Sequence, residues 1–107
     1  MKIVKYDVGR DAHIKEIEYT LEAMQAEVGG YIEVVRIADG VVLVCNENAL
    51  LKDDIRPNRN FIDADGRRVL ICDDCFMCAT DGEDFTGLTD KLAEKYAGLY
   101  KWAIQSI

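Results

Sequence analysis

Histidine and proline each occur once in this 107-residue chain, and each scarcity closes off a class of reading. His13 has no partner evident in the sequence, so a Ser-His-Asp arrangement cannot be argued for it. Pro57 and eight glycines are too few to mark a linker, and we expect one domain spanning residues 1–107. No apolar run approaches the ~20 residues that cross a bilayer. The first residues, Met1-Lys2-Ile3-Val4-Lys5-Tyr6-Asp7, lack the apolar centre of a secretory leader, so the expected location is cytoplasmic, with no membrane partner. Basic charge is also short. Thirteen Lys and Arg against 20 Asp and Glu leave a net charge of −7, which disfavours direct binding to DNA or RNA. A phosphate loop is missing too: Gly29-Gly30 precedes a strand, not the helix whose N-terminus would hold a phosphate.

What remains has clear periodicity. Lys2 to Tyr6 reads as a strand, and His13 to Tyr19 alternates as a second. Thr20 caps a helix carrying Leu21, Met24 and Val28 on one face, and Gly29 stops it. Tyr31 to Ile37 and Val41 to Cys45 form a hairpin about Asp39-Gly40. Asn46 to Gly66 is polar and without period, and reads as a long loop. Arg68 to Cys72 and Phe76 to Thr80 read as another strand pair, followed by a turn at Asp81-Gly82-Glu83-Asp84. Thr89 caps a last helix with a stripe of Leu92, Tyr96, Leu99, Ala103 and Ile107, widened by Tyr100 and Ile104. The order predicts an α+β fold: a mainly antiparallel sheet of about six strands with two helices, the C-terminal one packed on the sheet.

Four cysteines suggest a metal. Cys72, Cys75 and Cys78 have C-x2-C-x2-C spacing, with Cys45 as a fourth sulfur for zinc. The same spacing begins a ferredoxin-type iron–sulfur run. Their apolar neighbours and the acidic pair Asp73-Asp74 favour small buried thiols instead, in a hairpin where Cys72 and Cys75 flank a two-residue turn, and no cofactor is expected. The acidic pairs Asp53-Asp54, Asp73-Asp74 and Glu83-Asp84 read as solvated turns. Asp63-Ala64-Asp65-Gly66 lacks the downstream Glu of a calcium loop.

Arg56-Pro57-Asn58-Arg59-Asn60 is the candidate binding segment. Arginine offers a planar fork of donors for an anion, and asparagine both donates and accepts. A bracing role for the asparagines, closing turns through their side chains, weighs equally.

Val28-Gly29-Gly30-Tyr31-Ile32-Glu33, Asn46-Glu47-Asn48, Pro57-Asn58 and Asp84-Phe85-Thr86-Gly87-Leu88-Thr89 together resemble a family of small proteins of bacteria, phages and mobile elements known as a domain of unknown function. The resemblance implies no activity. Its setting implies accessory or counter-defence work. The expected function is non-enzymatic binding of a small anionic ligand, such as a nucleotide immune signal. Tyr31, Arg56, Asn58, Arg59 and Asn60 would line the pocket, at an interface between copies of the chain. The alternatives are an acidic module that blocks a host protein by imitating nucleic acid, and a metal-stabilised domain.

Overall fold

The computed structural model describes residues 1–100. Its elements are β1 (Lys2–Tyr6), β2 (His13–Glu16), α1 (Leu21–Val28), β3 (Ile32–Ala38), β4 (Val41–Asn46), a 3-10 turn at Ala49–Leu51, β5 (Pro57–Ile62), β6 (Arg68–Cys72), β7 (Cys75–Asp81), β8 (Asp84–Thr86) and α2 (Asp90–Leu99). Six strands make one sheet in the order β2-β1-β7-β4-β3, with β8 also paired to β7. β5 and β6 make a separate two-stranded ribbon. Every pairing among the described residues is antiparallel. The fold is α+β, with α2 on the sheet, as the element order predicts.

Alternation along the central strands sorts side chains between two faces. Val4, Tyr6, Leu43, Cys75 and Met77 point to one face and are buried there beneath Phe61 and Ile71 of the ribbon and Ala93 and Tyr96 of α2. Ile3, Val42, Val44, Phe76 and Cys78 point to the other and are buried beneath Met24 and Val28 of α1. Both helices begin as expected: Thr20 Oγ1 accepts from Ala23 N and Thr89 Oγ1 from Leu92 N.

Four local expectations change. β2 ends at Glu16, short of Tyr19. The segment read as a long loop holds β5, whose register shifts between Pro57 and Arg59. That bulge turns the consecutive residues Asn58 and Arg59 both inward, and so erases the period that would mark a strand. Asp84–Thr86 is a strand, not the end of a turn. Cys72 to Cys75 is not a hairpin turn: β6 belongs to the ribbon and β7 to the main sheet, so the two aspartates carry the chain between them. The last helix is seen to Leu99; Ala103, Ile104 and Ile107 lie outside the described residues. Among the described residues no helix is long and apolar enough to cross a membrane.

One charge sits under α1. Lys5 is buried on β1, and its Nζ donates to Glu27 Oε1 at 2.9 Å, which Lys15 Nζ also reaches at 3.0 Å. Burial alone would raise the Glu27 carboxyl, but the bonds from Lys5 and Lys15 outweigh it and hold the pKa below its ordinary value. A depressed carboxylate stabilises the fold above its unfolded pKa, and that stability is lost as pH falls through the folded pKa. Glu27→Gln is therefore expected to destabilise by about 1–2 kcal/mol at neutral pH. Chemical denaturation at successively lower pH should show the difference from wild type narrowing as the wild-type carboxyl takes up its proton. A constant difference across that range would refute the ionic account.

Candidate functional site

The end of α1 and the end of β4 build one corner. Gly29 takes the left-handed conformation (φ 76°), and Gly29 N and Gly30 N both donate to Gln25 O, at 2.8 and 3.1 Å. The chain then enters β3. Opposite it, the buried Asn46 donates from Nδ2 to Val28 O at 3.1 Å and accepts from Asn48 N at 2.7 Å. A Cβ on Gly30 would lie 3.0 Å from Asn46 Nδ2, so a larger residue there would press on the Asn46 amide that holds the corner. Glu47 N donates to Tyr31 O at 2.9 Å and closes the corner. The Val-Gly-Gly-Tyr and Asn-Glu-Asn stretches are thus two halves of one structure.

The corner frames an open cleft of about 370 Å³, lined by Gln25, Gly29, Gly30, Tyr31, Asn46, Asn48 and Lys52. Tyr31 is 67% exposed, so its ring is presented to solvent. Lys52 is held from behind: its Nζ lies 2.7 Å from Asp73 Oδ2, an ion pair outside hydrogen-bond alignment. Arg56 Nε donates to Asp73 Oδ1 at 3.1 Å.

The remaining residues quoted for the resemblance also have structural places. Asn58 is buried on β5, and Asp84 to Thr86 form β8, leading into α2. The family model described as a domain of unknown function (DUF3846) matches residues 1–101. The chain belongs to that family. No curated protein and no solved structure matches it.

Of the five residues expected to bind a ligand, the structure places only Tyr31 in the cleft. Arg56 stands beside it, through the carboxylate it shares with Lys52. Asn58 and Arg59 are buried elsewhere. Asn58 Nδ2 donates to Tyr6 O (2.8 Å) and Asp73 O (2.9 Å). Arg59 Nε donates to Asn58 Oδ1 (2.7 Å), Nη1 to Tyr100 O (2.7 Å), and Nη2 to Asp7 O (3.0 Å) and Arg10 O (2.7 Å). Its guanidinium also lies over the Tyr6 ring, 5.2 Å from the centroid. Burial lowers the Arg59 pKa from its ordinary value. For these two side chains the geometry is that of a brace joining β1, β5 and the end of α2. Asn60 is exposed on the ribbon.

Sequence reasoning passed over Lys52 and Asp73. Lys52 carries no motif, and its only signal was its place in the polar stretch after Asn48. Asp73 reads as a solvated turn acid, yet it is buried with φ 64°. Aspartate tolerates that left-handed backbone better than most residues, which was the available hint.

The four sulfurs do not converge. Cys45 and Cys75 point to the α2 side of the sheet, and Cys78 to the α1 side. Among the described residues no group of three or more His, Cys, Asp or Glu is placed to hold a metal ion. Burial pushes the Cys45 thiol up to about 11 and Cys78 to about 12, and raises Cys72 and Cys75 as well. Such thiols are protonated and poor nucleophiles at neutral pH. His13 is exposed, 3.7 Å from Asp7. Asp63 Oδ1 accepts from Asp65 N and Arg67 N, both at 2.9 Å, so that carboxylate closes a turn.

Proposed function

We propose that the corner cleft binds a small anionic ligand with a planar part, such as a nucleotide, and holds it without converting it. The observation that carries this reading is the convergence of the exposed Tyr31 ring, Lys52 and the amides Gln25 and Asn48 on one cleft. A volume of about 370 Å³ falls within the roughly 300–1,000 Å³ of small-molecule sites. An aromatic face stacks on a base, an ammonium takes a phosphate as a point charge, and amides hydrogen-bond sugar or base edges. The lining offers contacts but no paired nucleophile and base. In a phage or mobile-element protein of the cytoplasm, such binding would serve to sequester a nucleotide immune signal.

Calorimetry against a panel of linear and cyclic nucleotides tests this. One panel member should bind wild type, and Tyr31→Ala and Lys52→Ala should each weaken it about tenfold, the weight of one stacked base or one charge-assisted contact. Absence of binding across the panel, or binding indifferent to both substitutions, would defeat the nucleotide reading.

A further inference from the structure

The outer side of the same loop carries an unrelated feature. Leu50 and Leu51, on the 3-10 turn, are 69% and 80% exposed, and Leu70 of β6 is 55% exposed. Leu50 and Leu70 line a narrow groove between the turn and the ribbon, with Glu33 and Glu47 also in its walls. Exposed Asp53 and Asp54 follow the leucines in the chain.

Displayed leucines are ordinarily a liability, so their setting matters. The turn is fixed at both ends. At its start Glu47 N is bonded to Tyr31 O, Ala49 is buried, and Leu51 N donates to Asn48 O at 3.0 Å. At its end Asp73 N donates to Arg56 O at 2.8 Å, and the Asp73 carboxylate holds Lys52 and Arg56. The leucines are therefore presented on an anchored frame, and a partner need not order the backbone that carries them. The charge around them is mainly acidic. Lys52 and Arg56, both partly exposed, share the Asp73 carboxylate, and Arg68 is exposed two residues from Leu70; against these stand exposed Glu33 and Glu47 in the groove and exposed Asp53 and Asp54 just after the leucines in the chain.

We infer that this face docks onto another protein, one presenting an apolar pocket with a basic rim. The leucines fill the pocket and the carboxylates meet the rim, which sets orientation and speeds encounter. A second copy of this chain is the wrong occupant, because its matching face carries the same acids and would be repelled. The leucines and acids that would meet the partner are not residues that line the cleft, so the inference does not depend on ligand binding there.

The test places a photo-cross-linking benzoylphenylalanine at position 51, in cells that make the protein, with position 99 as a control on exposed Leu99. The expected result is an adduct with one other protein from position 51 and not from 99. With that protein purified, Leu51→Asp should weaken binding at least about tenfold with the fold intact, and added salt should weaken wild-type binding. The inference is overturned by the absence of an adduct specific to position 51, by an adduct only with a second copy, or by a captured protein whose affinity ignores both Leu51→Asp and salt.

Discussion

Arg59→Ala is expected to destabilise the protein by about 3 kcal/mol and to lower its melting temperature by roughly 12–20 °C. The side chain donates to three backbone carbonyls, Asp7, Arg10 and Tyr100, and to Asn58 Oδ1. These acceptors come from three parts of the chain: the turn after β1, β5 and the end of α2. Alanine removes all four bonds at once: Asn58 Oδ1 is left without this donor in a buried place, and the part-buried carbonyls of Arg10 and Tyr100 lose theirs, with only partial access to water in exchange. Arg59→Lys should recover less than half of the loss, since a single ammonium cannot reach acceptors spread around a planar fork. Asn60→Ala, one residue along and exposed, is the control and should melt like wild type. Thermal denaturation followed by circular dichroism decides it. An Arg59→Ala protein melting within a few degrees of wild type would show that the brace is dispensable.

Asp73→Ala carries the second large effect, about 2–3 kcal/mol. Two terms combine. The carboxylate is lost from between Lys52 and Arg56, and both of these, being partly exposed, recover some hydration, which keeps the ionic loss moderate. The substituted residue must also hold φ 64°, which penalises an L-residue with a plain Cβ by about 1 kcal/mol. Asp73→Asn separates the terms: it tolerates the backbone and removes the charge, so it should fall between Ala and wild type. Urea denaturation gives the total. Limited proteolysis gives the location, with cleavage between Glu47 and Arg56 accelerated in both variants because the loop loses its clasp. Equal urea midpoints for all three proteins would refute the assignment.

These two residues also show where reading a sequence stops. The helix caps Thr20 and Thr89, the stop at Gly29 and the Asp39-Gly40 hairpin depend on neighbours within a few positions, and each appears where local chemistry puts it. β5 was hidden because its inward positions are Asn58 and Arg59, polar residues recruited by distant carbonyls. β6 pairs with β5 across the short turn at Asp63–Arg67, but the pairing of β7 with β1 and β4 is long-range, and nothing near Cys72 or Cys75 signals that they end and begin strands of different sheets. The glycine–tyrosine corner was visible as a motif, but its joining to Asn46 through a Gly30 contact, and the cleft that this leaves, required the fold.

The strand order has a consequence for synthesis. β7, near the end of the chain, lies between β1 and β4 and also pairs with β8. The β1–β2 and β3–β4 hairpins emerge from the ribosome first, and each then exposes a hydrogen-bonding edge that only Cys75–Asp81 will occupy. Until then neither hairpin has the neighbour it has in the folded sheet, and the core residues that β7 contributes are absent. Pairing Lys2–Tyr6 with β7 closes a loop of most of the chain, the kind of contact that slows folding most. The main sheet therefore cannot be completed until its seventh strand has been made.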